Sequence, residues 1–245
     1  MVDMALCFRI LLAVVATCGL VSAVIGLRIG WYLCISRQLT HRIRPFERMS
    51  ADGSPRILYV GDSTGYGTGA SDSVRTVPGR IGLDYPDAHI ENWSRRGLKL
   101  RTLASALSKA LTPEHPYDLV VLAVGGMDIV HATSLERMDR ALRAAIQEAR
   151  RLGLKVLYVG PNNPAAAPLF HFPFNRVYRR RGMAWQERFM HTCAENSVAC
   201  LSLHREDDPV ALGGHFAGDQ THPTDEGYAL WYVQIRPHVE RLLSA

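Results

Sequence analysis

The chain has 245 residues, of which 47% are hydrophobic and 21% charged, a composition that excludes wholesale disorder and allows one core with a short appendage. The net charge of +5 is uneven: residues 1–50 hold six arginines and two acidic residues, and residues 51–245 hold 22 basic and 21 acidic ones. The body is nearly neutral and gives no electrostatic case for nucleic-acid binding. We therefore expect no nucleic-acid partner.

An uncharged apolar segment, residues 10–27, lies close to the N-terminus, and a second apolar stretch follows Arg28. A run of about 18 or more such residues can cross a bilayer, so the segment predicts a single retained membrane span. A cleaved signal peptide is the alternative. Its hydrophobic region is normally shorter, and a cleavage site before a polar start is hard to place here.

The basic residues on either side of the span indicate its orientation in the membrane. Four arginines follow the span closely, whereas one precedes it; those that follow are Arg28, Arg37, Arg42 and Arg44. The positive-inside rule then places the body in the cytoplasm. A single-span protein with a large C-terminal domain can depart from this rule, so export of the body stays an alternative.

Beyond a polar and basic stretch at 37–56, predicted to be a linker, short apolar runs alternate with amphipathic stretches. The predicted strands are 57–61, 88–92, 118–125, 154–160 and 199–203. The predicted helices are 76–85, 99–111, 134–152, 174–196 and 225–243. This alternation predicts an α/β fold, a parallel five-stranded sheet between two layers of helices. We expect an anchor with its linker at 1–50 and one domain at 51–245.

The sequence GDSTGYGTGA, residues 61–70, follows the first predicted strand, where a phosphate loop, a dinucleotide site or a nucleophile could lie. A P-loop requires a lysine, which this stretch lacks, and the third glycine of a dinucleotide fingerprint comes one position early. Ser63, flanked by Gly61 and Gly65, fits a nucleophile on a sharp turn and matches G-x-S-x-G. Taken alone, a serine at this position is more often a turn residue or a helix cap.

A second candidate cluster, GDQTHPTDEGYALW at 218–231, places Asp219 and His222 in a turn before the last predicted helix. A histidine that activates a serine and an acid that orients the histidine are what acyl transfer needs. In α/β-hydrolases the acid and the histidine are far apart in sequence, so the pattern favours another class of serine hydrolase. A metal site formed with His215 is a weak alternative, and we expect no metal and no cofactor.

On these residues the chain resembles the SGNH (GDSL-type) hydrolases over nearly all of 56–245. The matching blocks are GDS at 61–63, NWSRRG at 92–97, GGMD at 125–128 and DQTHP at 219–223. The resemblance implies a flavodoxin-like three-layer α/β/α fold. It also implies that Ser63 is the nucleophile and a backbone oxyanion donor, that Gly97 supplies a second donor, and that Asp219 and His222 complete the triad.

The third block departs from the family pattern, because Met127 stands where the family has an oxyanion-binding Asn. A thioether cannot donate a hydrogen bond, and loss of one such donor in a protease costs about 10²–10³ in kcat. Three interpretations follow. Two donors suffice, Asn162 or Asn163 after the fourth strand substitutes, or the domain binds a ligand with little turnover.

The sequence as a whole predicts a membrane-anchored hydrolase that cleaves a carboxylic ester through an acyl-serine. The expected partners are an ester-bearing small molecule, a lipid or an acylated glycan, together with the membrane. An O-acyltransferase that moves an acetyl group to a glycan would use the same triad and is one alternative. A weakened domain that binds glycan or lipid is the other, and Met127 is its support.

Overall fold

The central sheet of the protein has five parallel strands. The computed structural model describes residues 4–109, 114–170 and 174–244. The strands are β1 (Arg56–Gly61), β2 (His89–Asn92), β3 (Tyr117–Ala123), β4 (Gly153–Gly160) and β5 (Ala199–Ser202), in the order β2-β1-β3-β4-β5. The predicted α/β fold is confirmed, although β3 stops two residues before the predicted end at 125.

Helices cover both faces of the sheet. In chain order, the helices of the described residues are α1 (Met4–His41), α2 (Ser63–Tyr66), α3 (Val77–Asp84), α4 (Leu100–Ser108), α5 (Gly126–Val130), α6 (Leu135–Leu152), α7 (Phe174–Glu195), α8 (Pro209–Leu212) and α9 (Asp225–Ser244). The predicted helix at 99–111 becomes α4, and its residues 110 and 111 lie outside the described part of the chain.

The three central strands, β1, β3 and β4, are mostly apolar because both faces of the sheet are buried there. In β1, Leu58 and Val60 face a core built with α4, α6 and α7, whereas Ile57 and Tyr59 face a second core built with α3 and α9. This alternation follows from the two-residue period of a strand. The sheet therefore forms the middle of three layers, as a buried parallel sheet requires.

The stretch at 37–56, predicted to be a linker, is attached to the body for much of its length. Helix α1 continues to His41, and the side chains of Ile43 and Phe46 are buried after it. The Nη1 of Arg48 donates to the carbonyl oxygens of Gly82, Tyr85 and Pro86. The polar composition of the stretch conceals these contacts, because few of its side chains are apolar.

Helix α1 is long and apolar enough to cross a membrane. The region Cys7–His41 meets the length and composition criteria, with a mean hydropathy of 2.6 in its most apolar window. A signal sequence close to an N-terminus would meet the same criteria, so both predicted alternatives agree with the structure.

Candidate active site

Three side chains from two distant turns meet beyond the carboxyl end of β1. The Oγ of Ser63 lies 2.8 Å from Nε2 of His222. The Nδ1 of the same histidine lies 2.5 Å from Oδ2 of Asp219. The structure thus brings together the serine, the histidine and the acid that the sequence singled out.

The serine turn is shaped by a buried cap and by close backbone approaches. Oδ1 of Asp62 accepts a hydrogen bond of 3.0 Å from the N–H of Thr64 and so caps α2. A Cβ on Gly65 would lie 2.5 Å from the Oγ of Ser94 and 2.8 Å from the ring of Tyr59, so a side chain there does not fit. The hydroxyl of Ser63 is held at the start of a helix that begins immediately after the strand.

The turn that carries the acid and the histidine is organised by Asp219, which is only 1% exposed. Its Oδ1 accepts hydrogen bonds from the N–H groups of Thr221 and His222, at 3.1 and 3.0 Å. The turn packs against the serine loop at Gly69, where a Cβ would lie 2.4 Å from the carbonyl oxygen of Pro223. The glycine therefore allows the two loops to approach closely enough for the histidine to reach the serine.

The hydrogen bonds of Asp219 determine which ring nitrogen of a neutral His222 carries the proton. Burial opposes ionisation of this carboxyl, but hydrogen bonds and charge interaction with His222 outweigh it and hold the pKa of Asp219 below its ordinary value. An ionised carboxylate only accepts hydrogen bonds, so Nδ1 of a neutral His222 donates to it. The Nε2 is then free to accept the hydroxyl proton of Ser63.

The second block of the sequence supports the serine turn. The side-chain amide of Asn92 donates to the carbonyl oxygen of Gly65 and accepts from the N–H of Ser94, both at 3.0 Å. The N–H of Arg95 donates to Gly61, and Gly97 follows in this loop with a φ of +68° and an exposed backbone. The left-handed conformation explains the glycine at 97, since other residues adopt it at a cost.

In the third block, residues 125–128, Met127 and Asp128 differ in burial and in contacts. Met127 is the second residue of α5 and is half-buried. Asp128 is fully buried, and its Oδ2 accepts a hydrogen bond of 2.9 Å from the N–H of Leu100, so it holds the start of α4. The aspartate therefore has a structural partner.

The two asparagines after β4 differ in availability. Oδ1 of Asn163 accepts a hydrogen bond of 3.0 Å from the N–H of Ala165, so its side chain caps the short helical turn that follows. Asn162 is half-buried and lines a cavity of about 40 Å³ together with Asp62, Thr64 and Gly126. The cavity is far smaller than ligand pockets, which occupy about 300–1,000 Å³. Of the two, Asn162 is the residue placed beside the serine turn.

The structure shows no candidate metal-binding cluster in the described ranges, 4–109, 114–170 and 174–244. There, no group of three or more His, Cys, Asp or Glu side chains is placed to hold an ion. Asp219 and His222 are hydrogen-bonded to each other instead.

A family model described as the GDSL-like Lipase/Acylhydrolase family matches residues 59–230. The chain therefore belongs to this family, and the predicted class, an ester hydrolase of the GDSL type, is confirmed. A comparison with curated proteins gives no match.

Solved structures support the fold. A member of the lipolytic protein G-D-S-L family from Veillonella parvula has a TM-score of 0.61 at 18% identity, covering 76% of this chain and 98% of that one. The esterase EstA from Pseudoalteromonas sp. has a TM-score of 0.58 at 16% identity, with coverage of 78% and 100%. The acetylxylan esterase Axe2 from Geobacillus stearothermophilus has a TM-score of 0.56 at 16% identity, with coverage of 80% and 97%.

Burial of the capping carboxylate leads to a prediction about stability. Burial raises the pKa of Asp62 above its ordinary value, against opposing hydrogen bonds from Thr64. As the pH rises through about 3.9, the carboxyl of Asp62 therefore ionises first in the unfolded chain. The folded state loses relative stability until the pH passes the higher pKa that this carboxyl has in the folded state. We expect Asp62→Asn, which keeps the capping oxygen, to raise Tm at neutral pH by roughly 2–4 °C, the shift that 1 kcal/mol gives in a chain of this size.

Thermal unfolding followed by circular dichroism between pH 3 and 8 tests this expectation, with a gain that shrinks toward the acid end. Asp72→Asn is the matched control, because Asp72 caps the N–H of Val74 in the same way but is exposed. A fall in Tm of the Asp62 variant at neutral pH would show that its charge stabilises the turn.

Proposed function

We propose that this chain is a membrane-anchored serine hydrolase that cleaves a carboxylic ester through an acyl-serine intermediate. The observation that carries the proposal is the continuous hydrogen-bonded row from Ser63 through His222 to Asp219. Release of p-nitrophenol from esters of increasing chain length, compared between the full chain and Ser63→Ala, tests this function.

In the acylation half of the proposed reaction, Oγ of Ser63 attacks the ester carbonyl while Nε2 of His222 takes its proton. The buried carboxylate of Asp219 stabilises the imidazolium that forms. The backbone N–H groups of Ser63 and Gly97 hold the negative oxygen of the tetrahedral intermediate. Collapse of the intermediate breaks the bond to the alcohol, which leaves with the proton from His222.

Deacylation repeats these steps with water in place of the serine. The oxygen of the water molecule attacks the acyl carbonyl while His222 takes a proton from that water. The resulting intermediate expels Oγ of Ser63. The histidine then returns the proton to the serine, so the enzyme is restored and a carboxylic acid is released. If an acceptor hydroxyl replaces water, the same residues carry out O-acyl transfer, and product analysis with and without an added glycan distinguishes the two reactions.

The comparisons support esters of several kinds as substrates. One structural neighbour is an acetylxylan esterase and another an esterase, which agrees with an acylated glycan or a small ester. The apolar helix α1 supports a lipid or envelope substrate, since it would place the body at a membrane.

The oxyanion site leads to a second prediction. We expect Met127→Asn to raise kcat for p-nitrophenyl acetate by about 10-fold or more, because it restores a donor whose loss elsewhere costs about 10²–10³. KM should change little, since the donor acts on charge that develops in the transition state. Met127→Leu, which has no donor, is the matched control and should behave as the natural chain does.

Whether Asn162 supplies an oxyanion donor can be tested with the Met127→Asn variant. If Asn162 supplies the third donor, Asn162→Ala lowers kcat in the natural chain and has a smaller effect in the Met127→Asn background, because the two donors then overlap. No gain from Met127→Asn combined with full activity of Asn162→Ala would show that two backbone donors suffice.

A further inference from the structure

The end of helix α1 contacts both turns that carry the proposed triad. The Oγ1 of Thr40 lies 2.9 Å from Oγ1 of Thr68, and both side chains are buried. A Cβ on Gly67 would lie 3.1 Å from Cδ1 of Ile43, and a Cβ on Gly218, next to Asp219, would lie 3.7 Å from Cγ2 of Ile35. The helix therefore touches the serine loop and the acid turn at the same time.

The contact is made by one face of the helix. Its half-buried or buried side chains recur three and four residues apart, the spacing of one helical face; they are Tyr32, Ile35, Ser36, Leu39 and Thr40. All residues from 7 to 31 are exposed. The apolar part of the helix thus projects away from the body, while its last turns are fixed to it.

The direction of the chain shows which side of the body the helix leaves. After His41 the chain runs antiparallel to β2, forming a bridge between Arg48 and Ile90, and reaches the start of β1 at Arg56. The helix therefore joins the body at the carboxyl edge of the sheet, where Ser63 lies.

The side chains just before the contact face are those typical of a membrane surface. The guanidinium of Arg28 lies 5.6 Å from the ring centroid of Tyr32, and Trp31 is 67% exposed. Basic and aromatic residues concentrate at the interface between lipid and water. Ile35 follows Trp31 by four residues, or about 6 Å along the helix axis. The acid turn that Ile35 contacts would lie within about 10 Å of the interface.

We propose that α1 is retained and acts as a rigid strut that holds the catalytic edge against the membrane surface, so that the substrate is an ester carried by an amphiphile in the same bilayer. This inference rests on the proposed function and names its substrate class. A fixed height raises the effective concentration of a membrane-resident ester at Ser63 and does nothing for an ester in solution.

The test lifts the body without altering its docking face. A seven-residue helical insert between Trp31 and Tyr32 adds about 10 Å and turns the helix by only about 20° from a whole number of turns. The full chain is reconstituted in phosphatidylcholine vesicles with one of two fluorogenic esters. Methylumbelliferyl acetate is soluble, and heptadecylumbelliferyl acetate, with the same acyl group and fluorophore, resides in the bilayer.

We expect the lifted variant to lose about tenfold or more of its activity on the bilayer ester and to stay within about twofold on the soluble ester. The same insert placed between Asp3 and Met4, ahead of the span, is the control and should affect neither. Equal activity of lifted and natural protein on the bilayer ester, or no activity of the natural protein on it, would overturn the inference.

The two proposals fail in different ways. Hydrolysis of the soluble ester that persists in Ser63→Ala contradicts the proposed function itself. Serine-dependent hydrolysis of the soluble ester with an unchanged response to lifting contradicts only the membrane-resident substrate.

Discussion

Replacement of Ser63 by alanine is expected to lower kcat for p-nitrophenyl acetate by about 10⁴-fold or more, in line with the removal of a nucleophile from other serine hydrolases. The loss is large because alanine has no oxygen to form the acyl-enzyme, and water must then attack the ester directly. Initial rates of p-nitrophenol release by the purified full chain measure it. Retention of most of the activity would show that hydrolysis proceeds elsewhere.

The control for this variant is Ser73→Ala, ten residues further along the chain. The Oγ of Ser73 makes only a long hydrogen bond of 3.4 Å to the neighbouring Asp72. It lies on a separate helical turn, so we expect full activity. Unchanged unfolding temperatures for both variants would assign the difference between them to chemistry.

Replacement of Asp219 by asparagine is expected to lower kcat by roughly 10³–10⁴, with little change in KM. The amide of Asn can donate toward Nδ1 of His222, which favours the tautomer whose Nε2 carries a proton and cannot take one from Ser63. The amide also provides no negative charge for the imidazolium. The steady-state constants of the variant, set against those of Asp207→Asn at an exposed ion pair with Arg205, test this expectation.

The same variant should differ from Asp62→Asn in stability. The folded pKa of Asp219 lies below its unfolded value, so its stabilising contribution is present above about pH 3.9 and is lost as the pH falls through the folded pKa. Asp219→Asn should therefore lower Tm at neutral pH, with a difference that narrows in acid. A higher Tm at neutral pH would mean that burial, and not the hydrogen bonds, dominates at this carboxyl.

The sequence was sufficient to place the three triad candidates because of where they fall in the fold. Ser63 follows the first strand, and Asp219 and His222 precede the last helix. In a parallel sheet the carboxyl ends of the strands and the starts of the following helices share one edge. Once the alternation of strands and helices was recognised, these residues had to lie at the same edge, even though 156 residues separate Ser63 from Asp219.

Contacts that depend on tertiary packing could not be predicted in this way. The stretch at 37–56 is polar, and nothing local indicates that Thr40 meets Thr68 or that Ile43 covers Gly67. Asn162 and Asn163 are equivalent in sequence, and only the hydrogen bond to Ala165 separates the cap from the side chain beside the serine turn. The exact ends of the strands could not be predicted from the sequence either. The third strand, β3, ends at Ala123, before the turn at Gly125, which has a φ of +142°.

We propose that Ser63 is the residue acylated during turnover. Treatment of the full chain with a fluorophosphonate, followed by digestion and mass spectrometry, tests it most directly, because such probes react with activated serines. We expect one covalent adduct on the peptide that contains Ser63, none in Ser63→Ala, and slower labelling in Asp219→Asn. An adduct on a different residue, or no adduct in protein that hydrolyses esters, would contradict it.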